Sequence, residues 1–150
     1  MRNELLKKEL WDMIRFTNIN LDTAFKPFVE IYGLTMMQSR ILVAVKECEQ
    51  ATVGTVSKII DVKSGNGSNM CKKLEQEGFI KRIRSIDDER VVKLILTEKG
   101  EETLEKVNND ILKKYGPVLD DRKDEEFEQM IKGIKLLNQL LMEFDKISQP

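Results

Sequence analysis

Between Lys63 and Arg84 the chain carries six basic residues, Lys63, Lys72, Lys73, Lys81, Arg82 and Arg84, against two acidic ones, Glu75 and Glu77, a local charge of +4. Asn66, Ser68 and Asn69 lie in the same stretch. Lysine and arginine neutralise phosphate, arginine also suits a narrow electronegative minor groove, and an asparagine amide can pair bidentately with adenine. Together these residues could recognise double-stranded DNA. The opposite charge is set apart: Glu101 to Glu128 holds ten acidic and five basic residues, so a net charge of −1 over 150 residues conceals two regions of opposite sign. Segregation of this kind turns one positive face toward a polyanion while the rest of the surface keeps the chain soluble. An ordinary solvated basic helix face explains the charge equally well, so the case depends on the elements that position it.

Apolar residues at helical spacing predict a first helix over about 4–30, with Leu6, Leu10, Met13, Ile14, Leu21, Ala24, Phe25 and Phe28 in its stripe and a break or kink at Pro27. Thr35 is the expected N-cap of a second helix running to about Cys48, with Met37, Ile41, Ala44 and Val45 inward. A short third helix runs from about Thr52 to Ile60, and Asp61 to Ser64 form the turn. The fourth should begin near Ser64 to Asn66 and end at Glu77-Gly78, where glycine supplies a left-handed cap. Met70, Cys71 and Leu74 then face inward, and Ser68, Asn69, Lys72 and Lys73 face out. Beyond it the period changes to two: Phe79 to Arg84 and Val91 to Leu96 read as strands around a turn at Ile86 to Glu89. A helix-turn-helix followed by a basic hairpin is the order in which a winged helix sets one helix in the major groove and a wing beside it.

Thr97 is expected to cap a fifth helix that stops before Pro117. A sixth carries Phe127, Met130, Ile131, Ile134, Leu137, Leu140, Leu141 and Phe144, more apolar stripe than one small lobe can cover. With the first and fifth helices it could form a two-fold interface. The expected fold class is therefore mainly α with a small β-hairpin, in a single domain over 1–150. Its DNA-binding lobe spans about 34–100, and its dimerisation helices about 4–30 and 101–147.

The motifs Leu34-Thr35-x-x-Gln38-x-x-Ile41-Leu42, Leu74-Glu75-x-x-Gly78-Phe79-Ile80-x-Arg82, Asp88-x-Arg90 and Leu96-Thr97-x-x-Gly100 follow one another in this order. In that order they resemble the MarR (multiple antibiotic resistance regulator) family. The resemblance spans roughly Leu34 to Gly100. It implies a helical homodimer with winged helix-turn-helix lobes on a pseudo-palindromic operator, each recognition helix in a major groove. Arg90 would reach the minor groove while Asp88 braces the wing. DNA contacts would come from Asn66, Ser68, Asn69, Lys72, Lys73, Arg82, Arg84, Asp88 and Arg90. It also implies a repressor released by a small phenolic or amphipathic ligand. Other family members respond through an oxidised cysteine in the first helix or through zinc on histidines; here the only cysteines are Cys48 and Cys71, and histidine is absent. Where the family has better helix formers, Ser64-Gly65-Asn66-Gly67 brings two glycines to the start of the recognition helix. Either that turn frays without DNA, or the glycines let a backbone approach phosphate.

Without histidine, zinc sites and Ser-His or Cys-His pairs lack their usual imidazole, so neither metal nor cofactor is expected, and both thiols read as inert in a reducing compartment. The longest apolar run, Ile41 to Val45, is far short of the roughly 20 residues of a membrane span. The N-terminus mixes charge too finely for a signal peptide, and a cytoplasmic protein without membrane partners is expected. The competing class is a dimeric winged-helix interaction module that binds a protein partner without reading DNA; an enzyme is the remote third, since no phosphate-cradling glycine loop appears.

Overall fold

Thr35 opens a helix by a reciprocal cap: its Oγ1 accepts from the Gln38 N–H at 3.1 Å, and its own N–H donates to Gln38 Oε1 at 2.8 Å. Thr52 does the same with Thr55 seventeen residues on. These two caps fix the start of a helix-turn-helix. The computed structural model describes residues 2–84 and 92–148. Over these residues the chain runs α1 (Arg2–Glu30), α2 (Met36–Glu47), α3 (Val53–Ile59), α4 (Ser64–Gln76), β1 (Ile80–Arg84), β2 (Val92–Leu96), α5 (Glu98–Asp120) and α6 (Asp124–Ser148).

Three helices end in the same way. After α1, α3 and α4 the chain turns left-handed at Gly33 (φ 74°), Asp61 (φ 53°) and Gly78 (φ 79°). Each following N–H reaches back to close the helix: Leu34 to the Val29 carbonyl, Val62 to Ser57 and Phe79 to Leu74. This is the Schellman closure, which satisfies carbonyls that the helix end leaves free. Asp61 takes the position without being glycine, as short polar residues sometimes do.

The chain divides into two compact units, 1–111 and 112–150. The first has a core of Leu34, Ile41, Leu42, Val56, Cys71, Leu74, Ile80 and Leu94, drawn from α2, α3, α4 and the hairpin. Tyr32 donates to Asp110 at 2.7 Å, tying the turn after α1 to α5. In the second, no described side chain of α6 is buried. No helix among the described residues is long and apolar enough to cross a membrane.

Several expectations need correction. Helix α5 does not stop before Pro117 but runs through it to Asp120. Gly116 before it has no Cβ to crowd the ring, which eases one part of the conflict, while the lost N–H and the clash with the carbonyl four residues earlier are carried by the helix. Helix α1 is not broken at Pro27 and runs through it to Glu30, the expected end. Met70 is only half-buried in α4, where Gly67 takes the buried place beside Cys71 and Leu74. In α3, Ile59 is 59% exposed although it sits at helical spacing from Val56, and the buried partner of Val56 is Ser57.

Candidate nucleic-acid interface

The recognition helix is seated on a single close approach. A Cβ at Gly67 would overlap Ser57 Oγ, lie 3.0 Å from Ser57 Cβ and 3.4 Å from Val62 Cγ2. Ser57 cannot swing aside freely, because its hydroxyl donates to the Val53 carbonyl at 2.6 Å. Gly67 is therefore what lets α4 lie against α3. At Gly65 an added Cβ would meet nothing within 4 Å. Both glycines lie within α4, and for Gly67 the packing against Ser57 is a third reason for glycine beside the two that the sequence offers.

With Gly67, Cys71 and Leu74 turned inward, the opposite face of α4 presents Asn66, Asn69, Lys72 and Lys73 to solvent, and Ser68 is half-buried at its edge. Lys73 also pairs with Glu77 at 3.9 Å across an exposed turn. Such a pair is weak and leaves the ammonium available. No side chain caps the start of α4 at Lys63. Burial pushes the Cys71 thiol above its ordinary range, with the nearby Arg82 guanidinium partly offsetting it, so this thiol is not an activated nucleophile.

The hairpin pairs β1 with β2 antiparallel, Ile80 opposite Leu96, Arg82 opposite Leu94 and Arg84 opposite Val92. Lys81 and Arg84 are exposed. Arg82 is not: its side chain is 20% exposed, its Nη1 lies 3.8 Å from Glu75 Oε2, and its backbone N–H donates to Glu75 Oε1 at 3.1 Å. The alternation of a strand could have revealed this, since Arg82 shares the inner face with the fully buried Ile80. Ser64, Ser68 and Arg82 nevertheless line one cleft with Thr52, Gly54 and Val92. Asp88 and Arg90, with the turn at Ile86 to Glu89 and with Val91, lie outside the described residues.

The base of the hairpin is held as firmly as the helix. Thr97 Oγ1 donates to the Gly78 carbonyl at 2.6 Å and accepts from the Gly100 N–H at 3.1 Å, capping α5 while it grips the loop before β1. Lys99 lies over the Phe79 ring at 4.3 Å and donates to the Glu77 carbonyl at 2.6 Å. Gln38, buried at the start of α2, donates to Glu77 Oε2 at 3.2 Å. The sequence motifs Thr35-x-x-Gln38 and Leu96-Thr97-x-x-Gly100 are thus caps that also hold the end of α4.

A helix-turn-helix whose second helix leads into an anchored β-hairpin is the architecture of a winged-helix DNA-binding protein. The profile of the transcriptional regulators SarA/Rot matches residues 23–107, and the chain belongs to this family of MarR-type winged-helix regulators. It is 26% identical over 108 residues to the HTH-type transcriptional regulator SarZ of Staphylococcus saprophyticus, covering 72% of this chain and 74% of that one. It is similar to the structure of a MarR family protein from Bacillus stearothermophilus, with 27% identity, a TM-score of 0.76, and 93% and 97% of the two chains covered. It shares the fold of Staphylococcus aureus MarR in complex with salicylate and kanamycin, at 20% identity and a TM-score of 0.80 over 95% and 96% of the chains. The protein is a DNA-binding transcriptional regulator.

Proposed function

We propose that the protein is a repressor that binds a pseudo-palindromic operator as a homodimer and is released by a small phenolic or amphipathic molecule. The observation that carries this reading is the outer face of α4, where Asn66, Asn69, Lys72 and Lys73 are all exposed beside a hairpin that presents Lys81 and Arg84. Asn66 and Asn69 would read base edges from the N-terminal half of the helix, with Ser68 at the rim. Lys72, Lys73 and Arg84 would neutralise phosphate, and Arg90, braced by Asp88, would enter the minor groove from the wing. The lobe at about 34–100 and the helices at about 4–30 and 101–147 act in this reading as one domain, working in the cytoplasm where its DNA is.

Two-fold symmetry is supported by the apolar side chains that the flanking helices leave in solvent, such as Trp11 and Phe16 on α1 and Ile131 and Ile134 on α6. Faces of this kind are normally covered by a partner. A phenolic effector is supported by the salicylate held by the S. aureus protein of the same fold. The deciding experiment is selection of binding sites from random duplex DNA with the purified protein. An enriched inverted repeat, with half-sites about one helical turn apart, is expected. A dimer that enriches no sequence would leave the protein-interaction module as the function.

A further inference from the structure

Glu75 is electrostatically out of place. It is a carboxylate in the last turn of α4, where the helix dipole favours cations, and it lies in the most basic stretch of the chain, beside the face that would meet phosphate. Its two oxygens are nevertheless both directed to one residue. Oε1 accepts the Arg82 backbone N–H at 3.1 Å, and Oε2 lies 3.8 Å from Arg82 Nη1. The Arg82 Nε is sealed from solvent and has no acceptor among the described residues. A guanidinium whose inner nitrogen is buried is poorly placed to follow a phosphate.

The ladder explains why this backbone group is free to be taken. Thr97 donates to the Phe79 carbonyl at 3.0 Å, which marks Phe79 and Thr97 as a hydrogen-bonded pair. By alternation, Arg82 and Leu94 form a non-hydrogen-bonded pair whose N–H groups point away from the hairpin. Both outward groups are captured: Arg82 by Glu75 of α4, and Leu94 by the Ala51 carbonyl just before α3, at 2.9 Å. The wing is thus tied by one edge to the recognition helix and by the other to the start of its partner.

We propose that Glu75 and Arg82 are a positioning pair that sets the angle of the wing on the recognition helix, and that Arg82 is not itself a DNA contact. This rests on the DNA-reading function proposed above, and it reverses the role that the charge pattern suggested for Arg82. Because the carboxylate is negative and close to the DNA face, the two roles predict opposite signs. If charge alone mattered, removing Glu75 would tighten binding. If position matters, removing it loosens binding at the operator.

The test compares Glu75→Ala, Arg82→Ala and their double variant with the parent, on the selected operator and on unrelated duplex, over a range of salt. Expected for Glu75→Ala is an operator affinity about tenfold weaker, with a smaller operator-to-unrelated ratio, although a negative charge has been lost. A smaller fraction of folded molecules cannot mimic this, because it lowers both apparent affinities alike and leaves their ratio unmoved. Arg82→Ala should keep the parent's salt slope, whereas Lys72→Ala should flatten it by about 0.9, the share of one phosphate contact. The double variant should be no weaker than the weaker single one. A slope lowered in Arg82→Ala, or tighter binding by Glu75→Ala, would make Arg82 a phosphate ligand and overturn the proposal. Amide exchange in the free protein separates this result from the fate of the DNA reading. The Arg82 N–H should exchange about tenfold faster in Glu75→Ala, and regain protection in Glu75→Gln, which keeps an acceptor. Exchange unchanged in Glu75→Ala overturns the pair, whatever DNA the parent binds.

Discussion

Gly65 and Gly67 occupy one turn of α4 and meet opposite surroundings, so the same substitution should act in opposite directions. At Gly65 an added methyl group enters open space, and alanine should stabilise the free protein by up to about 1 kcal/mol through helix propensity. At Gly67 it meets Ser57, whose own hydrogen bond to Val53 resists rotation, and whose Cβ would still be in the way after rotation. Overpacking of this kind typically costs about 1–3 kcal/mol, more than the propensity gain, so Gly67→Ala should be destabilising. Denaturant unfolding of the two single variants checks both signs; stabilisation by both would mean that α3 and α4 do not pack as closely as described. The pair also marks a limit of sequence reading. Two glycines at a helix start look alike as departures from propensity, and what distinguishes them is a serine ten residues earlier, on another helix. Arg82 shows a limit of a different kind. Its charge pointed to DNA, while its place two residues beyond buried Ile80 pointed inward, and its side chain is largely covered in the structure.

At the scale of elements, the parts legible in the sequence were those with local causes. The Thr35 cap, Gly78 after α4, the Thr97 cap and the change of period after Gly78 each depend on a few neighbouring residues, and each appears where expected. The end of α5 was misread because Pro117 was taken as a stop, whereas the helix carries it as α1 carries Pro27, with Gly116 easing only the crowding that a preceding Cβ would add. Contacts between elements were not legible. Gly100 illustrates this, since its N–H completes the Thr97 cap while its missing Cβ also gives clearance to another element. A Cβ there would overlap the Phe79 carbonyl oxygen and lie 3.2 Å from the carbonyl carbon and 3.4 Å from Leu96 Cδ2. Backbone cannot rotate out of the way as a side chain does. Gly100→Ala should therefore move α5 away from the base of the hairpin and destabilise the protein by about 3 kcal/mol, at the upper end for overpacking. Thermal unfolding would measure the loss, and a melting temperature equal to the parent's would show that the hairpin base tolerates the shift.

At the scale of the molecule, the question is what orders α6. Its twenty-five residues bury no described side chain, yet Met130, Ile131, Ile134, Leu136, Met142 and Ile147 are all more than half exposed. A helix in water gains little from propensity alone and depends on packing of an apolar face, so α6 needs a partner surface. The twofold reading supplies one in a second copy, with α1 offering Leu5, Trp11, Met13 and Phe16 on the same terms. Ile134 is the residue to test, since Ile131 precedes it by one turn on the same side of the helix. A glutamate at Ile134 would place an unpaired charge in the interface if one forms there, and would be harmless on a solvated surface. Ile134→Glu should therefore sediment as a monomer at micromolar concentration and lose helical ellipticity as α6 frays. It should also bind the operator about 100-fold more weakly, because two half-sites are no longer held by one linked pair of lobes. Its affinity for an isolated half-site should equal the parent's, which keeps a loss of symmetry distinct from a damaged lobe. A variant that remains dimeric with full operator affinity would place the interface elsewhere on the molecule.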